Sequence, residues 1–268
     1  MAIPSRQIGW GTEENLLWQI SKQLERLTCV MAGGCTTTTT TIAPTTTTTT
    51  TIDPGNLSLT VTNSGTDFDI AAESDFTIEW NAYYANTSNH PRAYSFGSYF
   101  TGGASHAVSI ENGTFYWWVN GSIIITTSVS IENGWHHFCI MRTGGNSVSL
   151  YIDGVIQSPT VIFLDPIPSL GLPLYIGSEG DDSLSNALFS NFRWNSTVTI
   201  YDPSGFTPPS APLSNPAGTT LLLCQGDSLP LELLDNSGLN QTINNGSGIY
   251  NAGNPFGGYS GSLQFGTV

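Results

Sequence analysis

Residues 133–155 read NGWHHFCIMRTGGNSVSLYIDGV and decide the fold. Two runs in this stretch, 135–141 and 147–152, are rich in the aromatic and β-branched residues that favour strands. The second run ends at Asp153-Gly154, a dipeptide typical of the two-residue turn of a β-hairpin. The stretch therefore predicts antiparallel strands joined by tight turns.

The same alternation of strand-like runs and turns continues over most of the chain. Further runs occur at 57–62, 76–84, 106–110, 114–119, 122–129, 173–177, 186–194 and 220–225. The phrase VSIENG occurs at 108–113 and again at 129–134, and its Asn-Gly endings predict two similar hairpins. Many short strands at this spacing favour an all-β sandwich of two sheets.

The first 35 residues follow a different pattern. Leu17, Ile20, Leu24 and Leu27 recur at spacings of three and four residues, which is the seam of a coiled coil. This pattern predicts an N-terminal helical segment, 1–35, that serves assembly or anchoring. About three heptads are too few for a helix that is stable alone. The seam therefore binds either a second copy or a larger particle, or it packs on the chain's own sandwich.

A threonine-rich linker, 36–54, joins this helix to the sandwich domain, 55–268. Six threonines precede Ile42-Ala43-Pro44 and seven follow it. Such a tract cannot build a core, and its stiff β-branched side chains disfavour a helix, so we expect an extended segment. It is a flexible spacer, an O-glycosylated stalk, or a strand that becomes ordered only against a neighbour.

The charge balance narrows the choice of partners and location. Six basic and 20 acidic residues give a net charge of −14, which repels phosphate backbones, so no nucleic acid is expected as a partner.

No run of 18 apolar residues occurs, and we expect no membrane span. The N-terminus lacks the apolar core of a signal peptide, yet the low content of charged residues, 10%, is typical of an extracellular or virion protein.

Three stretches carry a resemblance to a known family. Residues 76–84 (FTIEWNAYY), 133–155 and 174–194 (LYIGSEGDDSLSNALFSNFRW) resemble laminin-G-like, concanavalin-A-like domains. The Trp-His-His start of one strand and the Tyr-Ile-Asp-Gly hairpin are the most specific parts. Residues 206–226 resemble the version found in structural proteins of bacteriophages and environmental viruses. The resemblance implies a two-sheet jelly roll with roles in virion fibres, adhesion or glycan contact.

The end of the chain departs from that family's pattern. A segment similar to 234–267 normally opens the domain, before the strand that corresponds here to 57–62. In this chain it comes last. The final strand therefore either folds back onto its own sheet or completes the sandwich of a neighbouring copy, and the second arrangement can build a filament.

Catalytic and metal-binding patterns are weak. Relatives of this fold that hydrolyse glycans use an acid and a nucleophile on one strand face. Asp75 and Glu79 share a face, but Thr77 stands between them, so we expect exposed strand carboxylates and no enzyme activity. His136 and His137 are neighbours on a strand, so they point to opposite faces and cannot easily share a metal.

A calcium site is the stronger metal hypothesis. Glu179, Asp181 and Asp182 lie in one predicted loop, and the resemblance implies that such a loop at the rim of the sandwich can bind Ca²⁺. Asp67 and Asp69 are a second candidate. The alternative is an acidic loop that is only solvated. No cofactor is expected to be required.

Aromatic residues on one strand suggest a binding surface. Tyr116 and Trp118 share one face of the run 114–119, and Phe115 and Trp117 share the other. One face must belong to the core. The other is either a glycan platform or a contact between subunits.

Modification sites and cysteines add two smaller expectations. Cys139 and Cys224 lie in apolar strand patterns and are expected to be buried free thiols. Seven sequons are weak candidates for N-glycosylation. They are Asn56, Asn86, Asn112, Asn120, Asn195, Asn240 and Asn245.

The helix, the linker and the offset final strand together favour a structural subunit of an extracellular filament or phage fibre, which forms homo-oligomers. The alternative function is a carbohydrate-binding adhesin, with or without calcium, that is carried on a stalk and contacts surface glycans.

Overall fold

A computed structural model describes residues 59–265, apart from 64, 89, 98–105, 179–184, 227–228, 247, 252, 254 and 257–261. The described part of the chain is all-β, with a single short helix, α1, at Leu229–Glu232. The strands are β1 Leu59–Val61, β2 Phe76–Tyr84, β3 Arg92–Phe96, β4 His106–Glu111, β5 Thr114–Val119, β6 Ser122–Ser128, β7 Trp135–Thr143, β8 Ser147–Ile152, β9 Val155–Ile156, β10 Val161–Ile162, β11 Leu174–Ile176, β12 Ala187–Asn195, β13 Thr219–Leu223, β14 Ile243–Asn245, β15 Ile249–Asn251 and β16 Ser262–Phe265.

The strands form two antiparallel sheets that pack face to face. The front sheet has seven strands in the order β14-β1-β11-β3-β4-β5-β6. The back sheet has nine strands, with the order β10-β8-β7-β2-β12-β16-β15 and with β9 beside β8 and β13 beside β12. The predicted all-β two-sheet sandwich is therefore confirmed, and strands far apart in sequence are neighbours in both sheets.

An aromatic core joins the two sheets. Trp80 of the back sheet stacks on Phe138 at 5.3 Å between ring centroids and meets Tyr94 of the front sheet edge-on at 5.7 Å. Trp194 meets Tyr94 and Phe96 edge-on, at 5.7 and 5.3 Å. All five side chains are buried, and edge-to-face pairs of this kind add about 0.5–1.5 kcal/mol each beyond the burial of their area.

One of the two VSIENG stretches is a hairpin turn and the other is not. Asn112 and Gly113 both have positive φ, 49° and 73°, and join β4 to β5 as predicted. The second prediction was wrong, because β6 and β7 lie in different sheets. The side chain of Ile131 is buried in the core at that point, and the chain crosses from the front sheet to the back sheet instead of forming a hairpin.

The end of the chain pairs with its own sheet. In β16, Leu263 and Phe265 lie opposite Phe189 and Ala187 of β12. Phe265 packs so closely on Gly177 that a Cβ at this glycine would lie 2.5 Å from the phenylalanine ring. The structure thus places the offset strand in the back sheet of the same chain.

Cys139 and Cys224 are both buried and neither forms a disulfide bond, as expected. Cys139 lies on the outer face of the back sheet in a small apolar cluster with Met141 and Tyr151. Burial raises the pKa of the Cys139 thiol well above its usual value, and the nearby Glu79 charge acts in the same direction. This thiol therefore stays protonated and serves packing.

Candidate functional site

Strand β5 divides its side chains between the core and an accessible face, as the alternation predicts. Phe115 and Trp117 are fully buried, whereas Tyr116 and Trp118 are half-buried on the outer face of the front sheet. The two outer rings lie side by side, with centroids 6.2 Å apart and planes inclined by 33°. The Trp118 indole N–H donates a hydrogen bond to Ser109 Oγ at 3.3 Å, which orients the ring toward β4.

Charged side chains border these rings on the same face. Arg92 lies opposite Ser109, and Ser109 lies opposite Tyr116, so the three residues form one row across β3, β4 and β5. The Arg92 guanidinium donates to Glu111 Oε1 at 3.1 Å. His90 Nδ1 lies 3.2 Å from the other oxygen of Glu111.

The carboxylate of Glu111 is held in its ionised form. Partial burial raises its pKa, but the hydrogen bonds and charges of His90 and Arg92 outweigh this effect and keep the pKa below the usual value. The side chains of Glu111 and His90 are 26% and 55% exposed, so both remain accessible to a ligand. Sequence reasoning identified Tyr116 and Trp118 but missed these charged neighbours, since only the strand register brings them together.

The outer face of the back sheet is closed by a cover segment, residues 196–218, which runs between β12 and β13. Tyr201 and Phe206 of this segment stack at 4.0 Å between centroids, with their planes inclined by 10°. The Tyr151 hydroxyl donates to the carbonyl of Pro203 at 2.8 Å, and Arg193 donates to the carbonyl of Ser214 at 2.8 Å. The segment that carries the sequence FTPPSAPLS is therefore part of the domain's second, smaller core.

Glu79 lies beneath this cover segment and is fully buried, which corrects the expectation of an exposed strand carboxylate. Arg193 Nε donates to its Oε1 at 2.8 Å. His137 Nε2 and the Tyr201 hydroxyl each lie 2.8 Å from its Oε2. Burial by itself raises the pKa of Glu79. The hydrogen bond from His137 and the charge of Arg193 lower the pKa by more than burial raises it, so the pKa lies below its usual value.

The other predicted carboxylate is also engaged in structural contacts. Asp75 Oδ1 accepts from the backbone N–H of Gly145 at 2.8 Å, and its Oδ2 accepts from Thr199 Oγ1 at 3.1 Å. Glycoside hydrolysis needs an acid and a nucleophile that both reach the substrate. In this structure Glu79 is covered, ionised and paired, so the Asp75 and Glu79 pair does not form such a site.

The calcium prediction falls mostly outside the described residues, which exclude Glu179, Asp181 and Asp182. Of the second pair, Asp69 accepts hydrogen bonds from the N–H and hydroxyl of Ser169, both at 2.6 Å. Within the described ranges no group of three or more His, Cys, Asp or Glu side chains is arranged to hold a metal ion.

The assembly residues and one sequon lie in the first 58 residues, outside the described part: Leu17, Ile20, Leu24, Leu27 and Asn56. Among the other sequons, Asn112, Asn120 and Asn240 are exposed, and Asn86 and Asn245 are half-buried. Asn195 is fully buried and its amide donates to the carbonyl of Ala217 at 2.9 Å. The folded domain therefore leaves no room for a glycan on Asn195, and that prediction was wrong.

The chain belongs to a known superfamily. A family model described as "Concanavalin A-like lectin/glucanases superfamily" matches residues 38–199, more than half of the chain, and the two-sheet sandwich agrees with it. No curated protein sequence matches the chain significantly. No helix in the described part of the chain is long and apolar enough to cross a membrane.

Several solved structures are similar to part of this chain. The binding domain of Paraclostridial Mosquitocidal Protein 1 is 18% identical, with a TM-score of 0.37 over 48% of this chain and 35% of that one. The binding domain of botulinum neurotoxin serotype G is also 18% identical, with a TM-score of 0.37 over 48% and 34%. Trypanosoma rangeli sialidase is 16% identical, with a TM-score of 0.34 over 45% and 20%. This chain thus spans about a third of the toxin domains and a fifth of the sialidase.

Proposed function

We propose that the chain is a carbohydrate-binding protein whose glycan site is the outer face of the front sheet at Tyr116 and Trp118. The observation that carries this proposal is the pair of adjacent, half-buried aromatic rings on a sheet whose inner face is core. Ligand sites typically combine aromatic surface with a few placed polar groups. The superfamily to which the chain belongs includes lectins by its description, which supports the same proposal.

The chemistry of this face suits a neutral sugar. The apolar C–H face of a pyranose ring can pack on Tyr116 and Trp118, because aromatic rings offer large flat apolar surfaces with a polar edge. Sugar hydroxyls both donate and accept hydrogen bonds. The Glu111 carboxylate can accept from them, and the exposed His90 ring can form a hydrogen bond with them through its second nitrogen.

The same proposal includes binding without hydrolysis. The superfamily description also names glucanases, but Glu79, the best candidate for a catalytic carboxylate, is buried under the cover segment and paired with Arg193. We further propose that no cofactor is required, although calcium can contribute through the acidic residues Glu179, Asp181 and Asp182, which the sequence predicts to lie in one loop. An extracellular or virion location fits a protein that contacts surface glycans.

The test is a glycan array with the full-length chain, run with and without calcium. We expect Trp118→Ala to weaken binding of any glycan hit by about 30-fold, since losing an anchoring aromatic side chain costs about 2 kcal/mol. Tyr83→Ala is the matched control, because Tyr83 is a half-buried aromatic residue on the back sheet. An array without hits under both conditions, or equal binding by both variants, contradicts the proposal.

A second candidate function is favoured by the N-terminal sequence. We propose that the chain is also a structural subunit of an extracellular filament or phage fibre that self-associates. The heptad seam of Leu17, Ile20, Leu24 and Leu27 supports this proposal, because its apolar stripe is separated from the sandwich by the threonine-rich linker. Negative-stain electron microscopy of the full chain beside a Leu24→Asp variant tests it. Filaments from the unmodified chain, lost or shortened in the variant, are expected, and dispersed single particles from both contradict it.

A further inference from the structure

The strands at the edges of the two sheets differ greatly in length. Within the described residues, three of the four terminal strands are short, since β14 and β15 have three residues each and β10 has two. Short edge strands limit unwanted strand addition from other chains. Strand β6 is the exception, because it ends the front sheet with seven residues, and no described strand pairs with its outer side.

The sequence of β6 lacks the charged residues and the proline that commonly protect an edge strand. It reads SIIITTS and contains no charged residue and no proline, whereas edge strands are commonly blocked by lysine, proline or inward-pointing charges. Ile123 is 46% exposed. The one irregularity is a register shift between the pairs Trp117–Ile125 and Trp118–Ile123, and it leaves Ile125–Ser128 in regular pairing with β5. The free side of β6 therefore offers backbone groups to an eighth strand.

We propose that β6 binds the threonine run 45–51 of a second copy of this chain as an added edge strand. This inference rests on the proposal that the chain self-associates, and it is independent of glycan binding. Strand addition at a sheet edge supplies affinity through main-chain hydrogen bonds and needs little side-chain specificity.

The composition of the threonine run fits this role. Thr45–Thr51 is as long as the seven-residue strand β6 and consists entirely of threonine, a β-branched residue that is enriched in strands. Pro44 and Pro54 flank the run with only two other residues, Ile52 and Asp53, and each proline ends regular pairing because it has no N–H to donate. Neither the run nor β6 carries a charge, so no like charges face each other where the two strands would pair.

The length of the intervening chain favours a second copy over the same chain. Strand β1 lies five strands from β6 in the front sheet, so a strand added beyond β6 would lie about 29 Å sideways from β1, at about 4.8 Å per strand. Only residues 52–58 separate Thr51 from Leu59. Fully extended, they reach about 29 Å, which leaves nothing for an offset along the strands. A threonine run from a neighbouring copy has no such restriction.

The experiment is sedimentation velocity of the full-length chain over a range of concentrations, with two pairs of variants. Thr126→Lys places a charge on the exposed edge strand, and Thr207→Lys makes the same change at an exposed site on the cover segment. Thr48→Pro interrupts the run 45–51, and Thr38→Pro interrupts the earlier threonine run instead. Hydrogen exchange of the amides of Ile123–Ser128 is measured in parallel.

We expect Thr126→Lys and Thr48→Pro each to weaken self-association by about tenfold or more, and the double variant to be no weaker than either single variant. Thr207→Lys and Thr38→Pro should associate like the unmodified chain. Exchange in β6 should be slow in the assembled chain and fast in Thr48→Pro. Since residue 48 precedes the first described strand, β1, by eleven positions in the sequence, this variant changes no residue of the described sandwich and remains informative even if Thr126→Lys perturbs folding.

Two results overturn the inference in different ways. Self-association that neither Thr126→Lys nor Thr48→Pro weakens means that the chain assembles, through the helix for example, without using the β6 edge. If the full-length chain stays monomeric, both the proposed β6 contact and the proposed filament are contradicted, whether or not the β6 amides are protected from exchange. Loss of glycan binding in Trp118→Ala is a separate readout and is expected to leave assembly unchanged.

Discussion

His106 shows how burial decides the chemistry of a single residue. This side chain is only 1% exposed and lies between the sheets among aromatic rings. Its Nε2 accepts a hydrogen bond from the Trp117 indole N–H, and the Tyr94 hydroxyl lies 3.3 Å from the same atom. Burial lowers the pKa of His106 from 6.5 to about 3, so the ring is neutral in the folded protein.

This shift predicts a loss of stability in mild acid. The pKa is lower in the folded chain than in the unfolded chain, so below about pH 6.5 the unfolded state takes up a proton that the folded state refuses until about pH 3. Unfolding therefore becomes easier by about 1.4 kcal/mol per pH unit across that window. The expected measurement is the free energy of unfolding in urea between about pH 7 and about pH 4.

The variant His106→Gln isolates this contribution, because glutamine keeps an acceptor for Trp117 and cannot titrate. We expect the variant to be less stable than the unmodified protein near neutral pH, and the difference to shrink or reverse as the pH falls toward about 4. A constant difference at all pH values would show that His106 titrates equally in both states.

At the scale of elements, the turn after β8 is in direct contact with the cover segment. Gly154 has φ +74°, and a Cβ there would lie 1.7 Å from the carbonyl oxygen of Phe206. The N–H of Phe206 in turn donates to the carbonyl of Gly154 at 3.0 Å. The hairpin turn predicted from Asp153-Gly154 thus also anchors the segment that covers Glu79.

Gly154→Ala is expected to destabilise the fold by more than the strain of its backbone conformation. Gly144 provides the matched control, because its φ of +63° is similar but a Cβ there meets nothing within 4 Å. Alanine at Gly144 should cost about 1 kcal/mol, whereas alanine at Gly154 must also displace Phe206 and should cost at least about 2 kcal/mol. Urea unfolding of both variants measures the difference, and equal costs would mean that the cover segment adjusts freely.

At the scale of the whole molecule, strand β16 lies between β12 and β15 in the back sheet of its own chain. Leu263 is fully buried on β16, beside Phe189 of β12, while Ile249 on the adjacent β15 is 58% exposed. The end of the chain therefore contributes to the common core, although it lies more than 60 residues from its partner strand in sequence.

Leu263→Asp is expected to lower the free energy of unfolding by about 4 kcal/mol or more, because it buries an unpaired carboxylate in place of an apolar side chain. Ile249→Asp makes the same kind of change at the exposed edge and should alter stability by less than about 1 kcal/mol. Thermal or urea unfolding compares the two. A small effect of Leu263→Asp would argue against the burial of Leu263 between β16 and the core.

The sequence alone determined the fold class and the division of β5 into two faces. Side chains alternate between the two sides of a strand, so the sequence places Phe115 with Trp117 and Tyr116 with Trp118, and the structure shows that the first pair is the buried one. The Asn112-Gly113 turn was equally predictable, because few dipeptides adopt two consecutive positive φ values. These features depend on neighbours within a few residues.

The groups that each outer face presents depend on the tertiary structure. Glu79 and Arg193 are 114 residues apart, and nothing in their local sequence indicates that a cover segment places both in a buried ion pair. The second VSIENG stretch has the same sequence as the first, but its Ile131 is buried in the core and the chain continues into the other sheet. The grouping of Arg92 and Glu111 beside Tyr116 likewise depends on strand register. Non-local pairing is set by the packing of the whole sandwich, which local propensities do not encode.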